Sequence, residues 1–162
     1  MPSWGEVQRE APELSALARR IFDSHVHKTI ATLRRDGSPR ISGTEATFRD
    51  GELWFGAMWQ SVKALDLRRD PRFALHSASA EMPRPSADPM AQPGDAKLAG
   101  RVEEITDPDR IAEINRGASG RSHLFRAEIE ELVVIRVEGE PPDTLVIESW
   151  HPGRGITRRE RR

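Results

Sequence analysis

The residue types and spacing of Ser61 and Lys63 are those of a phosphate-binding turn. Both follow a predicted apolar strand at residues 52–58, and a short helix is predicted over residues 61–69, ended by Pro71. The start of a helix offers free backbone N–H groups, its dipole favours negative charge, and a nearby lysine adds a mobile positive charge. We therefore predict a phosphorylated ligand here. The alternative is an ordinary helix cap at Ser61 followed by a solvated lysine.

Two serines have histidine neighbours in the sequence. Ser24 precedes His25, and Ser149 lies close to His151. A Ser-His hydrolase needs these side chains in contact in space, which neighbouring positions in a sequence do not establish. The sequence therefore favours no hydrolase.

The histidines do not form a metal-binding pattern. The chain has five of them, and only His25 and His27 share a strand face by their spacing of two. A His-x-x-x-His helix with an accompanying carboxylate, the usual arrangement for zinc or iron, is absent from the sequence. We predict no metal site.

The length of the chain is typical of one domain, and its charge balance gives no broad electrostatic attraction to nucleic acid. The chain has 162 residues, and its 25 Lys and Arg nearly balance its 26 Asp and Glu. It has no cysteine, which excludes disulfides, thiolate metal sites and cysteine nucleophiles. The first residues lack a basic and then apolar signal segment, and no apolar run is long enough for a membrane span. We expect a cytoplasmic protein with no nucleic-acid or membrane partner.

Hydrophobic periodicity predicts short helices around a larger set of strands. One amphipathic helix is expected near the N-terminus, with Pro12 in its first turn and a buried stripe made by Leu14, Leu17, Ala18, Ile21 and Phe22. A third helix is expected to begin at Asp107-Pro108 and to end near Gly117. Residues 81–95, which are rich in proline, are predicted to form a long loop.

The strand pattern predicts an antiparallel sheet. The dipeptides Asp36-Gly37 and Asp50-Gly51 mark hairpin turns between extended stretches, including 41–48 and 52–58, and two late strands are expected at 126–138 and 143–150. We expect about six strands, mostly joined by tight turns and without βαβ alternation. This pattern favours a mainly β fold with a sheet closed on itself over a doubly wound fold. No Gly-x-Gly-x-x-Gly fingerprint of a Rossmann nucleotide site is present.

We predict that residues 1–157 form a single domain and that residues 158–162 form a basic tail. The tail contains Arg158, Arg159, Arg161 and Arg162. Such a cluster can contact nucleic acid or an acidic partner, but we interpret it as a disordered, solvated terminus.

Several short stretches, taken in their order along the chain, resemble motifs of the pyridoxamine 5'-phosphate oxidase-like superfamily, the flavin-binding split β-barrels. Residues 31–39 resemble the family's opening strand and Gly-x-Pro turn, and residues 51–55 its next hairpin. Ser61-Val62-Lys63 resembles its Ser-x-Lys helix, and residues 67–72 resemble the Leu-x-x-Asp-Pro-Arg end of that helix. The resemblance covers residues 26–77 and implies a split antiparallel β-barrel with short flanking helices.

The resemblance also implies a cofactor and an assembly. The cofactor would be FMN or a deazaflavin coenzyme, bound along the subunit interface of a homodimer. Ser61 and Lys63 would bind its phosphate, and backbone at Ser42, Gly43 and Thr44 would face the isoalloxazine. The ribityl chain and ring edge would be lined by Ala57, Met58, Trp59 and Gln60.

One position departs from the true vitamin B6 oxidase. The oxidase has an arginine three residues after the proline of its Gly-x-Pro turn, and Ser42 occupies that position here. Arg40 follows Pro39 directly, and a two-residue shift along a strand moves a group by about 7 Å. We therefore do not predict vitamin B6 oxidation.

Three tryptophans each have two interpretations. Trp54 lies within a predicted strand, where core packing is favoured. Trp150 ends the last strand, where it either closes the substrate side or packs as a structural residue, and packing is favoured. Trp59 precedes the predicted phosphate helix, so it either shields the cofactor or packs in the core.

Two function classes remain open. The first is a flavin- or deazaflavin-dependent oxidoreductase that acts by hydride transfer on a small substrate, since a flavin carries the hydride chemistry itself. The second is a non-catalytic split barrel that holds a cofactor or haem. Ser61 and Lys63 support ligand binding in both classes.

Overall fold

A computed structural model describes residues 1–79, 94–115 and 121–162 of the chain. Within them, one sheet of nine strands is flanked by four helices. The helices are α1 (Trp4–Glu10), α2 (Pro12–Asp23), α3 (Val62–Arg69) and α4 (Pro108–Ile114). The strands are β1 (His27–Leu33), β2 (Pro39–Glu45), β3 (Thr47–Arg49), β4 (Glu52–Met58), β5 (Arg72–His76), β6 (Asp95–Ile105), β7 (Ser122–Glu138), β8 (Thr144–His151) and β9 (Gly155–Arg161).

The sheet confirms the predicted fold class. Its main path is β2-β1-β5-β6-β7-β4-β3, β8 extends from β7, and each strand pairing is antiparallel. β2 also contacts β4 across the open side of this path. The sheet therefore curls into a split β-barrel, and the space between β2 and β4 is where its wall is incomplete.

The N-terminal region forms two helices where one was predicted. The predicted apolar stripe lies on α2, whose first turn contains Pro12. α1 begins with a capping box, in which Ser3 accepts from the Glu6 N–H and the Glu6 carboxylate accepts from the Ser3 N–H. α1 ends at Glu10 because the chain leaves helical geometry at Ala11, directly before Pro12. The two helices cover one side of the barrel core with the buried side chains Trp4, Val7 and Phe22, among others.

The strand predicted over residues 41–48 is interrupted. β2 ends at Glu45, and β3 begins at Thr47. β2 pairs with β1, whereas β3 pairs with β4, so Ala46 lies where the chain passes from one part of the sheet to the other. Pairing partners that are distant in sequence decide this break, which local propensity does not show.

The basic C-terminal residues form a strand, and our expectation of a disordered terminus is wrong. Residues 155–161 pair with β8 along their whole length as β9. Gly153 and Gly155 adopt positive φ angles of 71° and 68° in the connecting turn, a conformation that favours glycine. Arg158 donates to Glu138 and is also paired with Glu148, so carboxylates of the neighbouring strands hold the hairpin.

A buried carboxylate joins α3 to the β1–β2 hairpin. Asp66 is 2 % exposed and accepts hydrogen bonds from Thr32 (2.9 Å), Arg40 (2.7 Å) and Arg69 (2.8 Å). Burial by itself raises the pKa of Asp66, but the hydrogen bonds from Arg69, Arg40 and Thr32 outweigh it and hold the pKa below its ordinary value. This network fixes the helix that begins at Ser61 against the strands that face it.

Several remaining predictions concern the other connections. The predicted loop at 81–95 falls outside the described residues except for Gly94 and Asp95, and Asp95 already opens β6. α4 begins after an Asp107 cap as predicted, but it ends at Ile114, and Gly117 is outside the described residues. No helix in the described part of the chain has the length and apolar character that crossing a membrane requires.

Candidate functional site

The open side of the barrel contains a groove with a volume of about 1430 Å³. It lies between β2 and β4 and extends along the start of α3 to the end of α4. The structure brings together most of the predicted cofactor residues on its walls, namely Ser42, Gly43, Thr44, Ala57, Met58, Trp59, Ser61 and Lys63. Gln60 is the predicted residue that does not line the groove. The geometry brings these residues together but does not by itself identify a ligand.

Ser61 occupies the cap position of α3 without capping it. Its backbone is extended, with φ −62° and ψ 148°, and its side chain accepts no hydrogen bond from the helix. The Ser61 Oγ is buried and has no hydrogen-bond partner among the described residues. The expectation of an ordinary side-chain cap is therefore wrong. A buried hydroxyl without a partner costs about 1–3 kcal/mol, so this atom is suited to a ligand oxygen.

Lys63 lies across the groove, so the interpretation as a solvated lysine is also wrong. Its half-buried side chain reaches from α3 to β2, where Nζ donates to the Gly43 carbonyl at 2.7 Å. Burial lowers the pKa of Lys63, and the nearby Glu45 carboxylate partly offsets this effect. An ammonium group has three donors, and the contact with Gly43 uses one of them. Two N–H groups are therefore available in the groove that Ser61 also lines.

Trp59 stacks on a histidine that the sequence analysis did not place in the site. The ring centroids of Trp59 and His123 are 4.6 Å apart, and the rings are nearly parallel at 7°. His123 is 2 % exposed, whereas Trp59 is 46 % exposed at the groove wall. Trp59 is therefore not a core residue, although whether it shields a cofactor stays a prediction. His123 comes from β7, far along the chain, and no local signal in the sequence connects the two residues.

Hydrogen bonds on both ring nitrogens fix His123. The Gln60 N–H donates to Nε2 at 3.2 Å, so Nδ1 carries the proton in the neutral ring and donates it to Glu104 at 2.7 Å. Gln60 has a φ of 59°, a left-handed conformation that is uncommon for a residue other than glycine. This turn is held by the His123 contact and by the bond from the Ser61 N–H to the Met58 carbonyl. Gln60 thus shapes the entrance to α3 without lining the groove.

Two arginines that the sequence analysis did not select also line the groove. Arg49 is paired with Glu113 at 2.8 Å and with Asp50 at 3.5 Å. The Arg121 guanidinium carbon lies 5.2 Å from the centroid of the Trp59 ring, a cation–π distance. No carboxylate partner of Arg121 is found within residues 1–79, 94–115 and 121–162.

A glycine on β4 lets Asn115 approach the groove wall. A Cβ at Gly56 would stand 2.7 Å from the Asn115 Oδ1, closer than real Cβ atoms come to such an atom. The Asn115 amide nitrogen is already used, because it donates to the Ser122 hydroxyl and to the His123 carbonyl. Its oxygen is therefore the polar atom that this residue can offer to a ligand.

Arg40 does not replace the arginine that the vitamin B6 oxidase has at the position occupied here by Ser42. Its Nε donates to Asp66 at 2.7 Å, and it is not one of the residues that line the groove. Ser42 does line the groove. The site therefore lacks the positive charge that the oxidase has on this strand.

The other constellations from the sequence do not form a second site. Ser149 bonds Thr157, and His151 bonds Glu131, so this serine and histidine do not pair. Ser24 lies 3.0 Å from the His25 Nδ1, but its hydroxyl donates its proton to the Ile21 carbonyl. No group of three or more histidines or carboxylates in the described part of the chain is placed to hold a metal ion. Trp54 and Trp150 are buried, as the packing interpretation predicts.

Several solved structures have this fold. An FMN-binding protein related to pyridoxamine 5'-phosphate oxidase, from Nostoc punctiforme PCC 73102, shares 13 % identity with a TM-score of 0.61, and the match covers 96 % of each chain. The haem storage protein HutZ from Vibrio cholerae shares 16 % identity with a TM-score of 0.54, over 77 % of this chain and 94 % of HutZ. A haem-binding protein from Mycobacterium smegmatis shares 16 % identity with a TM-score of 0.52, over 99 % of this chain and 88 % of that protein. At these identities the likeness shows the fold alone.

The family follows from the sequence match. No curated protein matches the chain. The model of the family described as pyridoxamine 5'-phosphate oxidase matches residues 14–140, which include most of α2, the groove strands β2 and β4, and α3. This span is most of the chain and confirms the resemblance read from the sequence. The protein therefore belongs to the pyridoxamine 5'-phosphate oxidase family.

Proposed function

We propose that this protein binds FMN, or a deazaflavin coenzyme, in the groove and acts with it as an oxidoreductase on a small substrate. The observation that carries the proposal is the buried Ser61 Oγ, which has no partner among the described residues and belongs to a residue that lines the same groove as Lys63. The fold match to an FMN-binding protein supports a flavin as the source of the phosphate.

The start of α3 suits a phosphate in three respects. The Ser61 hydroxyl can donate to a phosphate oxygen, and Lys63 supplies a positive charge with two unused N–H donors. The first backbone N–H groups of α3 have no partner within the helix, as at any helix start, and the helix dipole favours an anion there. Together these groups would bind a doubly charged phosphate. Helix capping or core packing alone would make no use of their positive charge and free donors.

The remaining groove residues suit the rest of a flavin. A bound flavin would supply the hydride chemistry, and the chain would supply position, dielectric and access. Ala57 and Met58 offer apolar contacts on β4, and the β2 backbone at Ser42, Gly43 and Thr44 offers polar groups on the facing wall. The open side of the groove is where a substrate would reach the ring.

The Trp59 indole is expected to contact the cofactor tail, because it lies on the groove wall two residues before Ser61. Trp59→Phe should therefore reduce the quenching of tryptophan emission that accompanies FMN binding. The other tryptophans, Trp4, Trp54 and Trp150, are all at most 4 % exposed, so most of the quenching should belong to Trp59. A fluorescence titration of both proteins measures this change. Quenching that is unchanged in the variant would mean that Trp59 does not contact the ligand.

The outer face of the sheet supports a homodimer. Ile41, Ala31, Ala74 and Ala99 lie opposite one another on neighbouring strands, so their side chains share one face. Ile41 is 74 % exposed on this face, although it is a large apolar residue. Met58 is 81 % exposed at the groove, so the groove also has an uncovered apolar edge. A second copy of the chain would cover both surfaces.

We expect this dimer to be obligate and to bury more than about 2,000 Å² in total. Sedimentation velocity should give a dimer at micromolar concentration. Ile41→Asp should shift the protein towards monomer, since it places a charge in an apolar interface. Val26→Asp, at an exposed valine outside this row, should not. A parent protein that sediments only as monomer would contradict the dimer.

The activity is tested with the purified full-length chain. Titration with FMN and with a deazaflavin, followed by tryptophan emission, identifies the cofactor. The bound cofactor is then reduced, and its reoxidation is followed by absorbance with and without small conjugated carbonyl compounds. Reoxidation that depends on such a compound supports an oxidoreductase. If the protein binds the cofactor but no compound speeds its reoxidation, the non-catalytic cofactor-holding function would be favoured instead.

A haem-binding module is the second candidate function, and His27 is the observation that favours it. This histidine lines the groove, its side chain is 80 % exposed, and its ion-pair partner among the described residues is Glu45 at 3.8 Å. An exposed imidazole on a groove wall can ligate a haem iron. Haemin titration followed by the Soret band, in the parent and in His27→Ala, tests this candidate. A Soret shift that requires His27 would favour haem over flavin.

A further inference from the structure

Arg121 takes no part in the phosphate site at Ser61 and Lys63, and it contacts Trp59, whose indole is also expected to reach the cofactor tail. The indole is fixed from below by the buried His123 ring, which is itself held by Glu104 and by the Gln60 N–H. The Arg121 guanidinium lies at cation–π distance from the same indole, 5.2 Å from its centroid. Both residues line the groove. A rigid aromatic surface and a planar cation therefore stand side by side at one wall.

The cations in the groove differ in how they are engaged. Arg49 is paired with Glu113 and Asp50, and Lys63 donates to the Gly43 carbonyl. Arg121 has only the ring contact with Trp59 among the interactions of the described residues. A cation–π contact holds the plane of a guanidinium but leaves its N–H groups free to donate. Arg121 is thus the groove cation that can still take an anion in a bidentate geometry.

We propose that Trp59 and Arg121 bind the substrate of the reaction, and that this substrate is a planar conjugated carboxylate. The guanidinium fork matches a carboxylate, because two parallel N–H groups can donate to its two oxygens. The exposed part of the indole surface can stack against conjugated carbon atoms attached to that carboxylate. Asn115 adds an acceptor oxygen for a substrate N–H or O–H group on the same side of the groove.

The physical chemistry selects this class over two others. A neutral planar compound would stack on Trp59 but would leave the Arg121 charge unpaired. A saturated carboxylate would pair with Arg121 but would lose the stacking contact, since its carbon atoms are not coplanar. Only a conjugated anion uses both groups. The assignment to a substrate rests on the proposed function, in which the phosphate of the cofactor occupies the start of α3.

The test uses trans-cinnamate as the probe, measured by isothermal titration calorimetry with the full-length chain, both alone and saturated with FMN. Cinnamamide is the neutral planar control, and 3-cyclohexylpropanoate is the anion without a planar conjugated chain. We expect cinnamate to bind about tenfold or more tightly than either control, as a charge-assisted bidentate contact combined with stacking would give. Protection of Trp59 from acrylamide quenching should accompany binding, because the other three tryptophans are buried.

Arg121→Met should remove the preference for cinnamate over cinnamamide, and Arg121→Lys should restore part of it, since a lysine keeps the charge without the fork. Trp59→Leu should remove the preference for cinnamate over 3-cyclohexylpropanoate. Arg154→Met, at an exposed arginine in the β8–β9 turn, is the matched control and should change nothing. Circular dichroism should show that each variant is folded.

Two outcomes would overturn the inference. The first is that the parent binds cinnamate and cinnamamide equally well, and the second is that Arg121→Met keeps the full preference. Failure of the cofactor proposal is separate, because it would appear as loss of FMN binding while the preference for cinnamate, and its dependence on Arg121, persist in the protein alone.

Discussion

Asp66→Asn is expected to lower the free energy of unfolding by about 3 kcal/mol, near the lower end for breaking a buried ion pair. Asp66 is buried and accepts from Thr32, Arg40 and Arg69, so an amide in its place leaves two guanidinium groups without a carboxylate. The loss is at the lower end because both arginines are partly exposed to water. Urea denaturation followed by circular dichroism measures the change.

Asp70→Asn is the matched control for this variant. Asp70 also bonds an arginine, Arg72, which holds the pKa of Asp70 down to about 2. The Arg72 side chain is 57 % exposed, so water and salt screen this pair, and its removal should cost far less than the loss of Asp66. Equal destabilisation by the two substitutions would contradict the role that we assign to the Asp66 network.

The acid limb of the stability curve gives a second measure of Asp66. Its pKa in the folded protein lies below its ordinary value, so the unfolded chain binds the proton more readily. The stabilisation is therefore present above the unfolded pKa of about 3.9 and is lost as the pH falls through the lower folded pKa. The difference in stability between the parent and Asp66→Asn should thus shrink as the pH falls through this window.

Lys63→Ala should weaken FMN binding by about ten- to a hundredfold, as expected for the loss of a charge-assisted hydrogen bond to phosphate. The fold should survive, because Lys63 is a half-buried groove residue whose side chain, within the described part of the structure, bonds the Gly43 carbonyl alone. Lys63→Arg should recover part of the affinity, although the planar fork differs in shape from an ammonium group. Arg35→Ala, in the exposed β1–β2 turn, is the control for a simple loss of positive charge.

Local turn chemistry made much of the fold predictable. Gly37 and the pair Asp50-Gly51 adopt the positive φ angles that hairpin turns need, and the two turns join β1 to β2 and β3 to β4. The predicted strand at 52–58 matches β4. The helix after Ser61 is anchored by the buried apolar side chains of Ala64 and Leu67. Pro71 limits its C-terminal end.

The parts that the sequence analysis missed depend on contacts between distant segments. Trp59 meets His123 only because β4 pairs with β7, and neither residue type signals the other. The Ser61 hydroxyl is unpartnered because of the tertiary surroundings, whereas the local pattern predicts a cap. β9 has a polar sequence without alternating apolar residues, and its pairing to β8 depends on glycine turns and on carboxylates of other strands.

The affinities of FMN and riboflavin, compared in the parent and in Lys63→Ala, test the central claim most directly. The two ligands share the ring and the ribityl chain and differ in the phosphate, so their difference in binding free energy isolates the site at Ser61 and Lys63. We expect the parent protein to bind FMN about ten- to a hundredfold more tightly than riboflavin, and Lys63→Ala to lose most of this difference while binding riboflavin as the parent does. Equal affinity of the parent for both ligands, or an undiminished FMN preference in Lys63→Ala, would contradict a phosphate site at the start of α3.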